Sequence, residues 1–279
     1  MISEDPQPDI RSRLEDLTPE RRAELVRQLK ERGRATLRRR PPGSPPVLSY
    51  EQERLWLLDQ LTPGLTAYNA SRVLRLVGPL DVAILQRALD AVVARHDVLR
   101  TQVRSVDGEA SPSIGLPRPV SLELAPIAGG TIRSLDDAVT RIQQFLVQSF
   151  DLSSDLLLRG LLVELGPDDH VLALNVHHIA SDGASRQLLL DELAAHYVGF
   201  ATGADEPILE APRFQFSDVA AWQRSALSDD RLDAAREFWV GYLAGAPPTI
   251  DLPFDRPRPP AQRDLRRCRR FLRRARFES

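Results

Sequence analysis

The chain has 279 residues, 42% of them hydrophobic and 27% charged, a soluble globular composition large enough for one large domain or two small ones. Its single cysteine, Cys268, excludes an internal disulfide framework and a cysteine-based metal cage. The net charge of -2 is uneven: residues 1–255 carry 27 basic against 37 acidic side chains, and the basic excess falls beyond them, so the body is a poor candidate for binding nucleic acid. No apolar run is long enough to span a bilayer, and the polar start is unlike a signal peptide. A cytoplasmic location without a membrane partner is therefore expected.

Along the chain, Thr18 and Pro19 cap an amphipathic helix that Gly33 closes. Residues 38–46, R-R-R-P-P-G-S-P-P, cannot form regular structure and read as a linker. A helix follows over residues 48–61, with Ser49 as cap and Leu55, Leu58 and Leu61 as its apolar stripe. Residues 69–77 read as a strand. Asp81 caps a helix carrying Ile84, Leu85, Ala88, Leu89 and Val92. Residues 95–101 then lead into a strand ending at Val106, and residues 107–119 read as a loop. A short strand at 120–124 precedes a helix that starts at Ser134 and runs through Phe150. Residues 156–165 and 170–178 form a predicted hairpin, turning at 166–169. Helices are predicted over 184–200, 214–227 and 230–243, and residues 246–260 form an extended Pro-rich run.

The richest stretch is residues 170–186, H-V-L-A-L-N-V-H-H-I-A-S-D-G-A-S-R. An apolar run, 171–176, reads as a buried strand that stops at His177 and His178, followed by a loop with Ser181, Asp182 and Gly183. A metal site is disfavoured, because successive strand side chains point to opposite faces. No G-x-S-x-G elbow, phosphate loop or dinucleotide fingerprint is present. The residues alone leave two readings: a lone histidine acting as general base, or a pair of satisfied histidines in a strand-to-helix turn.

Residues 176–185 resemble the H-H-x-x-x-D-G motif of condensation domains of non-ribosomal peptide synthetases. Three further blocks stand in the same order: L-S-Y-E-Q-E-R-L-W-L-L-D-Q-L at 48, R-H-D-V-L-R-T at 95, and F-S-D-V-A-A-W at 216, with L-P-F-D-R-P at 252 as continuation. The histidine block alone is shared with the wider chloramphenicol-acetyltransferase-like superfamily; the four together are specific. The opening block, with Ala67, Tyr68 and Asn69, looks most like the subtype that takes an L-configured donor.

The resemblance implies an α+β fold of two similar lobes, each a mixed sheet flanked by helices, with a tunnel between them. Donor and acceptor peptidyl carrier proteins would present substrates on phosphopantetheine arms, with no cofactor or metal held by the chain itself. The acceptor amine would attack the donor thioester and form an amide. His178 would face the tunnel and His177 would support it. Asp182 would pair with an arginine, Arg95 or Arg100, and Gly183 would let substrate and backbone come close. A thioester is already activated and an α-amine has a reference pKa of about 7.7–8. His178, as base or as positioner, would then supply about 10²- to 10⁴-fold.

The resemblance covers about residues 46–260 and so implies only the N-terminal part of such a domain, with the second lobe largely missing. The expected organisation is a leader helix and linker at 1–46, an N-terminal lobe at 47–212, and the start of a second lobe or crossover at 213–260. Residues 261–279 are expected to be an Arg-rich, disordered tail. The chain alone is expected to show little or no condensation activity. The alternatives are an inactive remnant or carrier-protein docking fragment, and a coenzyme A-dependent small-molecule acyltransferase.

Overall fold

The computed structural model describes residues 18, 21, 37–41, 43–126, 135–206, 208–227, 229–247 and 273–276. The chain divides into two compact units, Met1–Arg38 and Arg39–Ser279. In the first, the Arg21 amide donates to Thr18 Oγ1 at 3.3 Å, as the predicted cap requires; the rest of that predicted helix lies outside the described residues.

The second unit is built on a mixed sheet. Its elements run α1 (Tyr50–Leu61), β1 (Asn69–Val77), α2 (Val82–Arg95), β2 (Thr101–Val106), β3 (Glu109–Ile114), β4 (Leu122–Ala125) and α3 (Leu135–Leu146). They continue as β5 (Leu158–Gly166), β6 (Asp169–His177), α4 (Ser185–Ala201), α5 (Phe216–Ala226), α6 (Asp229–Tyr242) and β7 (Arg273–Arg276). The main sheet has the order β4-β5-β6-β1-β7. β6 is antiparallel to both β5 and β1, while β4 is parallel to β5. The fold is α+β, a mixed sheet flanked by helices. Among the described residues no helix is long and apolar enough to cross a membrane.

Both faces of β6 are covered, which is why its sequence is an apolar run rather than an alternating one. Leu172, Leu174 and Val176 belong to a core with Leu85, Leu89 and Val92 of α2 and Leu189 and Leu193 of α4. Val171 and Ala173 belong to a core on the other face, with Ala138, Ile142 and Phe145 of α3. A third cluster joins Leu48, Leu55 and Trp56 to Phe150, Leu152, Leu157 and Ile179. It lies directly under the turn that follows β6.

Several expectations change. The predicted loop after Val106 is a hairpin: Asp107 (φ 53°) and Gly108 (φ 84°) form a two-residue turn that pairs β2 with β3. α3 ends at Leu146, short of Phe150, because the side-chain amides of Asn69 and Asn175 donate to its terminal carbonyl at 2.9 and 3.3 Å. The expected start of that helix, Ser134, lies outside the described residues. The buried stripe of α1 is Gln52, Leu55 and Trp56, whereas Leu61 is 70% exposed.

The Pro-rich stretch near residue 40 is held by its arginines. Arg39 Nε donates to the Arg213 carbonyl at 2.7 Å, and the Arg40 amide to Asp218 Oδ1 at 2.9 Å. α5, which falls in the segment read in the sequence as the start of a second lobe or a crossover, is bonded to the residues before it. Arg224 Nε donates to the Leu48 carbonyl at 2.8 Å, and Gln215 Oε1 accepts from the Asp97 amide at 3.1 Å. α6 carries an exposed aromatic face, with Phe238, Trp239 and Tyr242 in mutual ring contact. Of the Arg-rich end, expected to be disordered, residues 273–276 are a strand parallel to β1, whose edge is open there.

Candidate functional site

β6 stops at His177, and a 3₁₀ turn, His178–Ala180, begins at the next residue. The break sends the two histidines to different surroundings. His177 is 3% exposed. Its Nδ1 accepts the Ile179 amide at 3.1 Å, which places the ring proton on Nε2. Phe150 meets the ring edge-on with centroids 5.8 Å apart, and Tyr68 lies at 6.5 Å. Burial, reinforced by the positive potential of His178 and Arg159, lowers its pKa to about 4, so it is neutral at pH 7.

His178 is exposed, and it lines a cavity of about 490 Å³. Its backbone is fixed although its ring is free. The His178 amide donates to the Tyr68 carbonyl at 2.8 Å, and Gln52 Nε2 donates to the Ile179 carbonyl at 3.1 Å. Gln52 is itself locked by a capping box with Ser49 at the start of α1. The first sequence block therefore carries the turn that presents the histidine. Apolar spacing does not single out Gln52; its place three residues after the cap is the signal that could.

Asp182 is exposed, in the turn that leads into α4. The Ser185 amide donates to its Oδ1 at 2.8 Å, and its own amide donates to Ser185 Oγ at 2.7 Å. These bonds, the backbone one first, hold its carboxyl below the usual carboxylate range. Neither arginine expected beside it is there. Arg95 Nε bonds Glu192 Oε1 at 3.0 Å. Arg100 bonds Asp97 Oδ1 at 2.6 Å and the carbonyls of Val93 and Ala94.

Burial explains the exchange. Glu192, with its side chain 8% exposed, is costly to bury without hydrogen-bond partners. It takes Arg95 on one oxygen and His96 Nε2, at 2.5 Å, on the other. Asp182 has local donors and water. His96 lines the same cavity as His178 and does not stand out in the sequence, although it sits between Arg95 and Asp97 in the second block. Gly183 has open space around it: a β-carbon there would meet no atom within 4 Å. Among the described residues no group of three or more His, Cys, Asp or Glu side chains is placed to hold a metal.

A family model for the condensation domain matches residues 46–272. The chain belongs to the condensation domain family. The match carries the likeness past residue 260 and into the Arg-rich stretch. Among curated relatives, the phosphinothricin tripeptide synthetase PhsC of Streptomyces viridochromogenes is 37% identical over 262 residues, covering 90% of this chain and 24% of that protein. Malpibaldin synthetase of Mortierella alpina is 38% identical over 224 residues, 79% of this chain and 4% of that one.

Among solved structures, the X-domain in its complex with OxyB from teicoplanin biosynthesis superposes with a TM-score of 0.72 at 33% identity. That match covers 81% of this chain and 49% of the other. The first condensation domain of the calcium-dependent antibiotic synthetase shares the fold, with a TM-score of 0.63 at 24% identity. The chain thus spans about half the length of these solved chains.

Two outcomes follow for the site. With its folded pKa below the unfolded value of 6.5, His177 refuses a proton that the unfolded chain accepts between pH 6.5 and about 4. Its contribution is complete above pH 6.5 and lost as the pH falls to about 4, on the order of 3 kcal/mol at about 1.36 per unit. Urea denaturation at pH 7, 5.5 and 4.5 should show that loss in the parent chain and a shallower one in His177→Asn. Separately, double-mutant cycles should give a coupling of about 1 kcal/mol or more for Arg95 with Glu192, and under about 0.5 for Arg95 with Asp182.

Proposed function

We propose that this chain supplies the histidine-bearing lobe of a condensation domain of a non-ribosomal peptide synthetase. In this reading an aminoacyl amine on one carrier protein attacks an acyl or peptidyl thioester on another, and an amide bond forms. The observation that carries it is the division at the end of β6, with neutral His177 buried behind the turn and His178 exposed on the cavity wall. His178 accepts or orients the amine proton as the C–N bond forms, and the thiolate of the phosphopantetheine arm departs. His177 and Gln52 fix the turn, and the Glu192 pair with Arg95 and His96 fixes another stretch of the cavity lining. No nucleophile from the chain is required, since the thioester is already activated.

We assign the donor an L configuration on the likeness of the opening block, with Ala67, Tyr68 and Asn69, to that subtype. A second reading, a docking piece without catalysis, is favoured by the X-domain, whose structure is that of a complex with OxyB.

The test supplies donor and acceptor carrier proteins loaded with aminoacyl thioesters. The chain alone should give little or no dipeptide. A fusion of the chain to the complementary half of a related condensation domain should turn over, and His178→Ala in that fusion should cost about 10²- to 10⁴-fold. Carrier binding without turnover, unaffected by His178→Ala, would favour the docking reading. Turnover with soluble coenzyme A thioesters and no carrier protein would establish a small-molecule acyltransferase instead.

A further inference from the structure

The cavity beside His178 differs sharply in chemistry between its lining and its rim. Leu55, Val98, Leu99, Leu188, Leu189 and Phe216 supply apolar surface. Nearly every polar group among the lining residues is already committed to a neighbour. Ser49 and Gln52 bond each other, at 3.1 and 3.2 Å, and the Gln52 side-chain amide is taken by the Ile179 carbonyl. His96 Nε2 is held by Glu192, Ser181 Oγ donates to the His177 carbonyl at 3.3 Å, and Asp182 and Ser185 bond reciprocally. At the exposed rim Arg54 Nε donates to Glu51 Oε2 at 2.9 Å. Tyr68 interacts with Arg54 at the same rim, and the His178 imidazole faces the cavity with no side-chain hydrogen bond among the described residues.

We infer that the substrate group seated against His178 in this lobe is apolar: an aliphatic or aromatic aminoacyl side chain, or an acyl chain, and not a charged one. The inference rests on the condensation reading and names the substrate class of that same site. A charged side chain seated against the apolar wall would lose hydration there, and the charged lining residues Glu51, Arg54 and Asp182 are exposed and already bonded to neighbours. An apolar group replaces water on apolar walls, and about 490 Å³ is within the usual range of small-molecule sites. Leu188, half exposed on α4, stands where a substituted side chain meets the bound group without entering the core.

The experiment titrates the full chain with non-hydrolysable aminoacyl pantetheine amides bearing leucyl, phenylalanyl, aspartyl or lysyl groups, and with n-butylbenzene, by calorimetry. The leucyl and phenylalanyl amides should bind at least tenfold more tightly than the aspartyl and lysyl ones. Leu188→Asp should shift the preference toward the lysyl amide by fivefold or more. Equal or tighter binding of the charged amides would overturn the inference while leaving the condensation reading intact. Binding of n-butylbenzene with none of the four amides would overturn the condensation reading on which it rests. Failure of all five probes would overturn both.

Discussion

Everything at this site depends on where β6 runs out. The strand is clamped between β1 and β5 and covered on both faces, so its side-chain parity is fixed by two packed cores at once. A slip of one residue would exchange Leu172, Leu174 and Val176 for Val171, Ala173 and Asn175 against the wrong helices. His177 continues the second set and is buried; His178 is the first residue freed from the ladder. The same backbone that buries one imidazole therefore presents the other. The turn is then held by Gln52 and the Tyr68 carbonyl rather than by contacts of the presented ring.

A second constraint is the buried carboxylate of Glu192. Its two oxygens draw Arg95 and His96 onto α4 and thereby fix the end of α2 against the cavity. Removing a partner would leave a charge in a dry setting, which is far more costly than leaving a surface pair unmade. Asp182, by contrast, is exposed in the turn before α4, and its needs are met within three residues. Sequence proximity to the histidines makes Asp182 look like the residue in need of an arginine, and burial shows that Glu192 is.

Local signals were legible in the sequence. Ser49 and Asp81 cap the helices they precede, β1 spans the residues expected of it, β6 lies where its apolar run placed it, and β5 with β6 forms the predicted hairpin. Strand parity predicts that His177 and His178 diverge; in the structure β6 ends between them, and the break gives them different surroundings. What escaped were features decided by distant partners. β3 alternates Glu109, Ser111 and Ser113 with Ala110, Pro112 and Ile114, a weakly apolar set that includes a proline and so hides the strand; Asp107-Gly108 was the clearer signal. The stripe of α1 differs from the expected one because Gln52 is buried for its hydrogen bonds, which apolar spacing does not register. The edge strand in the Arg-rich segment is offered by β1, not by its own composition. The match to the condensation family likewise reaches into that segment.

The central claim is that the end of β6 buries one imidazole and presents its neighbour. Brief treatment of the folded chain with diethylpyrocarbonate at pH 7, followed by peptide mass mapping, tests it directly. The expected result is rapid modification of His178, with His177 protected until the protein unfolds. Equal modification of both, or reaction at His177 first, would contradict it.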